Sequence, residues 1–191
     1  MSLSNDFDLM ISAKRDIIVY SYDYVLMCRS AEDLGILWTQ KMDPPLKAHK
    51  VAISADEGHV AAFATNSQWI PDQSDSIVFV YNGKTGGLEF RIPIRGIDGS
   101  AISPSGNGFS ISPDGKRFAV VDIREEDSKW VVRIHIYDIQ TGIRVASILH
   151  DPVKSENGSK LPAYTNVYFT PDGRYLITSG INTKIWSLKK S

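Results

Sequence analysis

An all-β fold assembled from four copies of one structural unit is predicted by three features of the sequence. A short apolar-then-turn pattern recurs four times along the 191 residues. Runs rich in β-branched and aromatic residues follow every copy. No segment sustains the 3.6-residue apolar period, with caps, that a helix requires.

The four copies are Ile11-Ser12-Ala13-Lys14, Ile53-Ser54-Ala55-Asp56, Ile111-Ser112-Pro113-Asp114-Gly115 and Phe169-Thr170-Pro171-Asp172-Gly173. Their spacings are 42, 58 and 58 residues, against about 40 to 45 for a minimal four-stranded repeat, so two repeats carry insertions. In the Pro-Asp-Gly copies proline presets φ, aspartate tolerates the turn backbone and glycine accepts positive φ, which makes these structural residues. The strand-like runs after the turns cover 16–22, 59–65, 117–122 and 174–179; second runs cover 24–29, 76–81, 131–137 and 183–188. The first three copies continue through turns at 31–35, 82–87 and 138–142 into closing runs at 36–42, 88–94 and 143–149. Each repeat therefore reads strand a, tight turn, strand b, loop, strand c, tight turn, strand d.

A twisted four-stranded antiparallel sheet with two apolar faces cannot hide both from water until neighbouring copies stack on it. Radial stacking satisfies every copy at once, and this predicts a β-propeller of four blades, about 7–43, 47–95, 106–150 and 165–191, in one domain. The fourth copy reaches Lys189-Lys190-Ser191 just after strand c, so fifteen of sixteen strands are expected and the last blade lacks its outer strand. Strand a of the first blade begins by Phe7, and Met1 to Asp6 would make a poor closing strand. An uncovered edge along 183–188 is a liability that Lys184, Lys189 and Lys190 partly guard. Completion by another chain, a homo-oligomer or membership of a larger ring is the corresponding expectation.

The stretches "FSISPDGKRFAVV" with "VRIHIYDIQTGIRVASIL", and "VYFTPDGRYLITSG" with "TKIWSL", resemble WD40-type blades. The first copy, "DIIVYSYDYVLMCRSAEDLGILWTQ", is equally similar to quinoprotein-type propeller repeats. Tyr81-Asn82, Tyr137-Asp138 and Trp186-Ser187 stand where the WD pattern has Trp-Asp, and the Gly-His pair is absent. His150, and less closely His49, falls near the place of that histidine. The resemblance carries the family's buried polar network onto the last blade in part, as Ser179 and Trp186. It implies a non-enzymatic protein-interaction scaffold. A quinoprotein- or lactonase-like propeller holding a metal or small molecule at a central channel is the alternative.

Composition narrows the function classes. Hydrophobic residues make up 42% and charged residues 23%, and 21 basic against 22 acidic side chains leave a formal charge of -1. No broad field attracts polyanions or membranes, so neither nucleic acid nor a membrane surface is an expected partner. Cys28 cannot form an internal disulfide, and it lies in the apolar run Tyr24-Val25-Leu26-Met27, as a packed thiol would. With no signal-like N-terminus and no apolar run of spanning length, a cytoplasmic protein is expected. The sequon at Asn157 then marks only an exposed loop.

The a-to-b and c-to-d turns are short in every copy, whereas insertions fall in the b-to-c and d-to-a connections, at 66–75, 93–108, 123–130 and 150–165. Long connections on a rigid scaffold concentrate binding residues, so that face is the candidate partner surface. Trp69 and Trp130 are its candidate anchors, with Arg124 and Lys129 beside the second. The competing reading folds each tryptophan back over a strand end. Arg124, Glu125, Glu126 and Asp127 read as a solvated loop tip, with Asp122 and Glu125 lacking the burial that acid–base catalysis needs. Trp38 and Trp186 lie within strands, where core packing is expected. His49, His59, His135 and His150 are not spaced as metal ligands; no phosphate loop or nucleophile elbow is present. No enzyme activity and no cofactor are expected.

Overall fold

The computed structural model describes residues 7–66, 76–96, 102, 108–126, 129–150, 153–154, 166–180 and 182–188, and among them no residue is helical. Four antiparallel sheets follow one another along the chain. The first comprises β1 (Phe7–Ile11), β2 (Ile17–Tyr22), β3 (Val25–Ser30) and β4 (Ile36–Lys41). The second comprises β5 (Leu46–Ile53), β6 (His59–Asn66), β7 (Ser76–Asn82) and β8 (Leu88–Pro93). The third contains β9 (Phe109–Ile111), β10 (Arg117–Glu126), β11 (Lys129–Asp138) and β12 (Arg144–Leu149), with the short β13 (Val153–Lys154) also paired to β11. The last has three strands: β14 (Asn166–Phe169), β15 (Tyr175–Ser179) and β16 (Lys184–Ser187). Consecutive strands are neighbours throughout, which is the meander of a propeller blade. The fold class is thus β-propeller, with four blades, the fourth three-stranded as the repeat count anticipates.

The chain divides into two compact units, Met1–Ala101 and Ile102–Ser191, each holding two blades. In the first, Val19, Leu26, Val60, Ala62 and Ala64 are wholly buried in one cluster with Trp38 and Tyr81. In the second, Ala119, Ile134, Val167 and Leu176 form the centre of another. Both clusters draw on two blades, as expected of sheets that bury their faces by stacking. Cys28 is fully buried, and burial first, then the charge of Glu57, pushes its thiol up to about 11, so it packs as an uncharged side chain.

The recurring turn explains why the pattern repeats. In every copy the hydroxyl at the second position accepts a backbone N–H from the start of strand b: Ser12 from Ile17 (3.2 Å), Ser54 from His59 (3.0 Å), Ser112 from Arg117 (2.9 Å) and Thr170 from Tyr175 (3.1 Å). In the last three copies the same hydroxyl donates to the turn aspartate, at 2.6 Å to Asp56, 2.7 Å to Asp114 and 2.6 Å to Asp172. One residue of each turn is left-handed. Gly115 (φ 66) and Gly173 (φ 67) meet that demand in the third and fourth blades, but Arg15 (φ 65) and Glu57 (φ 61) hold the place in the first two. A side chain in that region costs energy that glycine avoids. Arg15→Gly and Glu57→Gly are therefore expected to stabilise the protein by about 0.5–1 kcal/mol each after the added freedom of the unfolded chain, read as a rise in urea midpoint.

Candidate functional site

The connection at 123–130, expected as a loop, is strand at its described residues, 123–126 and 129–130. β10 and β11 pair without interruption from Arg117↔Asp138 to Glu126↔Lys129. They outrun β9, whose last partner on β10 is Val120. The result is a β10–β11 ribbon at the b-to-c end of the third blade, flanked on the β11 side by the short β13. Alternation along the ribbon sorts its residues onto two faces. Val121, Ile123, Ile134 and Val132 face the core of the second unit, and Trp130 shares their face, half-buried against it. Asp122, Arg124 and Glu126 lie on the other face.

Of the charge run read as a solvated tip, Arg124 and Glu126 are both ion-paired. Arg133 grips the Glu126 carboxylate with both guanidinium nitrogens, Nη1 at 2.5 Å and Nη2 at 3.0 Å, and this pairing holds the acid below the usual carboxylate range. Arg124 Nε donates to both oxygens of Asp122, at 3.0 and 2.9 Å. Far from lacking burial, Asp122 is only 2% exposed. His135, on β11, is fully buried between two strands: its Nε2 lies 3.4 Å from Asp122 Oδ2 and its Nδ1 2.9 Å from Ser147 Oγ on β12. If Nε2 donates to the carboxylate, Nδ1 is free to accept from the serine. These groups have the composition of a Ser–His–Asp relay, yet Arg124 already engages the carboxylate. The array braces strands b, c and d of one blade through a chain of buried polar contacts that runs from Arg124 through Asp122 and His135 to Ser147.

Of the four candidate anchors, Trp69 lies outside the described residues. Lys129 is placed in β11, with its side chain outside them. Arg124 is committed to Asp122, and Trp130 leans on the core while its indole N–H, buried, meets no acceptor among the described residues. Beside it, β13 extends the ladder with Trp130↔Val153 and Lys129↔Lys154, a pairing no sequence signal announced.

In the last blade the indole of Trp186 donates to Thr178 Oγ1 at 3.1 Å, not to Ser179. Alternation is the reason: Thr178 faces the core and is fully buried, while Ser179 points to the opposite side, near Asn166 Nδ2 at 3.5 Å. His150 meets the Trp186 ring edge-on at 6.2 Å between centroids. His49 instead shares a 2.8 Å hydrogen bond with Thr65. Among the described residues no three His, Cys, Asp or Glu side chains come together as a metal site would need.

At the opposite end of the blades the turn aspartates set an acid limit. Asp56 is held below its ordinary range by the Ser54 hydroxyl, and Asp172 by the Thr170 hydroxyl. For Asp114, burial pushes upward, but the Ser112 hydroxyl, the Lys116 N–H and the nearby Lys116 and Arg117 charges outweigh it and the net shift is down. A carboxyl depressed in the folded state contributes stability that is present above its unfolded pKa and lost as pH falls through the folded value. Urea midpoints should therefore be level above about pH 5 and fall below about pH 4. Asp114→Asn should make that fall shallower.

No family model matches the chain, and neither does any curated protein sequence. Solved structures do. Over 94% of this chain, the Kuenenia stuttgartiensis hydrazine synthase superposes with a TM-score of 0.60 at 13% identity, using 51% of that chain. A structure titled as a complex of KlAtg21 with the coiled-coil of AgAtg16 matches 95% of this chain and 52% of its own, with a TM-score of 0.57 and 16% identity. A putative TolB from Agrobacterium tumefaciens matches 96% of this chain and 58% of its own, at 0.53 and 18%. The likeness at these identities is one of fold, and it is the β-propeller fold. The chain spans about half the length of the structures it matches.

Proposed function

We propose that this protein is a non-enzymatic interaction platform that holds a protein or peptide partner on the face carrying its b-to-c and d-to-a connections. One observation carries the reading: the described residues of the third blade's b-to-c connection form a strand ribbon, pinned by the four pairs from Ile123↔Val132 to Glu126↔Lys129 and by the Glu126–Arg133 fork. A rigid projection loses little conformational freedom on binding, which is what separates a binding element from an idle loop. Trp130, one pair from its outer end, brings a large indole whose N–H has no acceptor among the described residues. Among the structural neighbours, the KlAtg21 propeller is titled as holding a coiled-coil segment; the analogy supports a polypeptide partner here.

The test uses the full chain, a partner recovered from native extract, and the variants Trp69→Ala and Trp130→Phe, the second chosen because Trp130 also packs. Loss of at least about tenfold in affinity, the size of a modest interface anchor, with an unchanged melting temperature is the expected result. Unaltered affinity in both variants would overturn the proposal, and so would a melting temperature lowered by several degrees in both, since they would then be packing residues.

A further inference from the structure

Each blade has two faces, and the repeat gives them fixed neighbours. Counted from the hydroxyl of the recurring turn, the seventh residue lies on strand b and is Val19, Ala61, Ala119 or Ile177. The sixth, on the opposite face, is Ile18, Val60, Phe118 or Leu176. In the first unit Val19 packs in one cluster with Val60 of the following blade. In the second, Ala119 packs with Leu176 of the following blade. Both junctions join the seventh-residue face of one blade to the sixth-residue face of the next.

Two faces stand exposed. The sixth-residue face of the first blade carries the pairs Leu9↔Tyr20 and Ile11↔Ile18. Val60, Phe118 and Leu176 are wholly buried, but Ile18 at the same place is only half-buried. Ile11 is 53% exposed, whereas Ile111, its counterpart in the third blade, is 6% exposed. The seventh-residue face of the fourth blade presents Tyr168, Ile177 and Ile185 in one cross-strand row. Ile185, paired with the seventh residue, is 67% exposed. Its counterparts Cys28, Val80 and Ile136 are all buried.

We propose that the exposed face of the first blade is covered by the exposed face of the fourth blade of a second copy of this chain, and that a pair of copies forms this junction twice. The two faces are opposite halves of one junction. The fourth blade presents the seventh-residue half and the first blade the sixth-residue half, the two halves that meet in both clusters within the chain. A surface built to the same repeat is therefore the occupant that fits each. Contiguous apolar side chains left in water gain by mutual burial, and such patches mark association sites. Arg29, which shares the first of these faces, is held within its own blade by the Tyr20 hydroxyl at 3.0 Å and the Leu34 main-chain oxygen at 2.6 Å. A contact between unlike faces ends in a closed assembly only when the rotation returns to the starting copy. Two copies of a four-sheet chain supply eight blades, a number at which propeller rings close. The proposal concerns the flat faces of the first and fourth blades and does not rest on the partner surface at the b-to-c connections.

The experiment is sedimentation velocity of the full chain over a wide concentration range, with three variants. The parent chain is expected to sediment as a pair that dissociates on dilution. Ile11→Lys and Ile185→Glu each place a charge on one of the two faces, and each should raise the dissociation constant at least about tenfold. Both positions are exposed, so the strand signal in circular dichroism should be unchanged. Leu149→Lys alters an equally exposed apolar residue on the outer strand of the third blade and should leave the pair intact. An equimolar mixture of Ile11→Lys and Ile185→Glu should associate more tightly than either variant alone, because a mixed pair keeps one junction unaltered and places lysine and glutamate together in the other. A monomer at every concentration would overturn the proposal and leave the two faces to a different protein. A pair that survives either face variant, that is lost equally in Leu149→Lys, or that mixing does not restore would overturn it as well.

Discussion

Trp38→Ala is expected to lower stability by about 3–5 kcal/mol, the cost of emptying a buried aromatic site, and to be the most damaging single truncation in the first unit. The indole is 6% exposed, lies 6.2 Å from the ring of Tyr81, and donates its N–H to Gly83 O at 2.8 Å. It belongs to β4 of the first blade yet sits on the c-to-d turn of the second, so its removal loosens two blades at once. The fit also runs the other way. A Cβ on Gly86, at φ +70, would come within 2.7 Å of the indole carbons. Gly86→Ala should therefore cost about 2–4 kcal/mol, from the left-handed backbone and the crowded ring together. Urea unfolding of both variants and of the double variant checks the claim. If the two act through one contact, the double variant should lose clearly less than the sum, because the cavity left by Trp38→Ala accommodates the new methyl group.

Asp122→Ala should cost about 3 kcal/mol, the lower part of the range for breaking a buried pair. The carboxylate is nearly fully buried, and its loss strands His135 and the Arg124 guanidinium, but Arg124 is 18% exposed and can turn partly to water. Asp122→Asn keeps one acceptor and should cost less. A double-mutant cycle on Asp122 and Arg124 measures the pair directly: a coupling energy near zero would mean that the buried array is not held together as the geometry implies. The same cycle bears on function, because an Arg124 that is coupled to Asp122 for stability is a poor candidate for partner contact.

The repeat was legible because its signals are local. The turn closes through its own Ser or Thr hydroxyl and backbone, with an aspartate two residues on in three of the copies, and strand alternation follows within a few residues, so four copies could be found in the sequence. Even the three-stranded last sheet follows from counting runs. Arg124 to Lys129, by contrast, is polar and reads as a loop by composition. Its described residues are strand, with Arg124, Glu125 and Glu126 opposite Val131, Trp130 and Lys129, and Arg133, opposite Asp122, reaches along the ladder to hold Glu126. Likewise, the resemblance pointed to Ser179 beside Trp186, and only the register Thr178↔Lys184 and Leu176↔Trp186 puts Thr178 under the indole.

By itself, then, the sequence determined the four repeats, the order of their strands and that neighbouring sheets must stack, since these depend on turn chemistry and on apolar faces written into short windows, but not the outer ends of β10 and β11 or the short β13. Tertiary structure alone decided which side chains meet: Trp38 with Gly83 and Gly86, Asp122 with His135 and Ser147, Lys14 with the next blade's turn. The partners in these contacts come from different strands or different blades, 12 to 48 residues apart. Their meeting is fixed by register and stacking angle, and a one-residue slip in either would send each side chain to the opposite face.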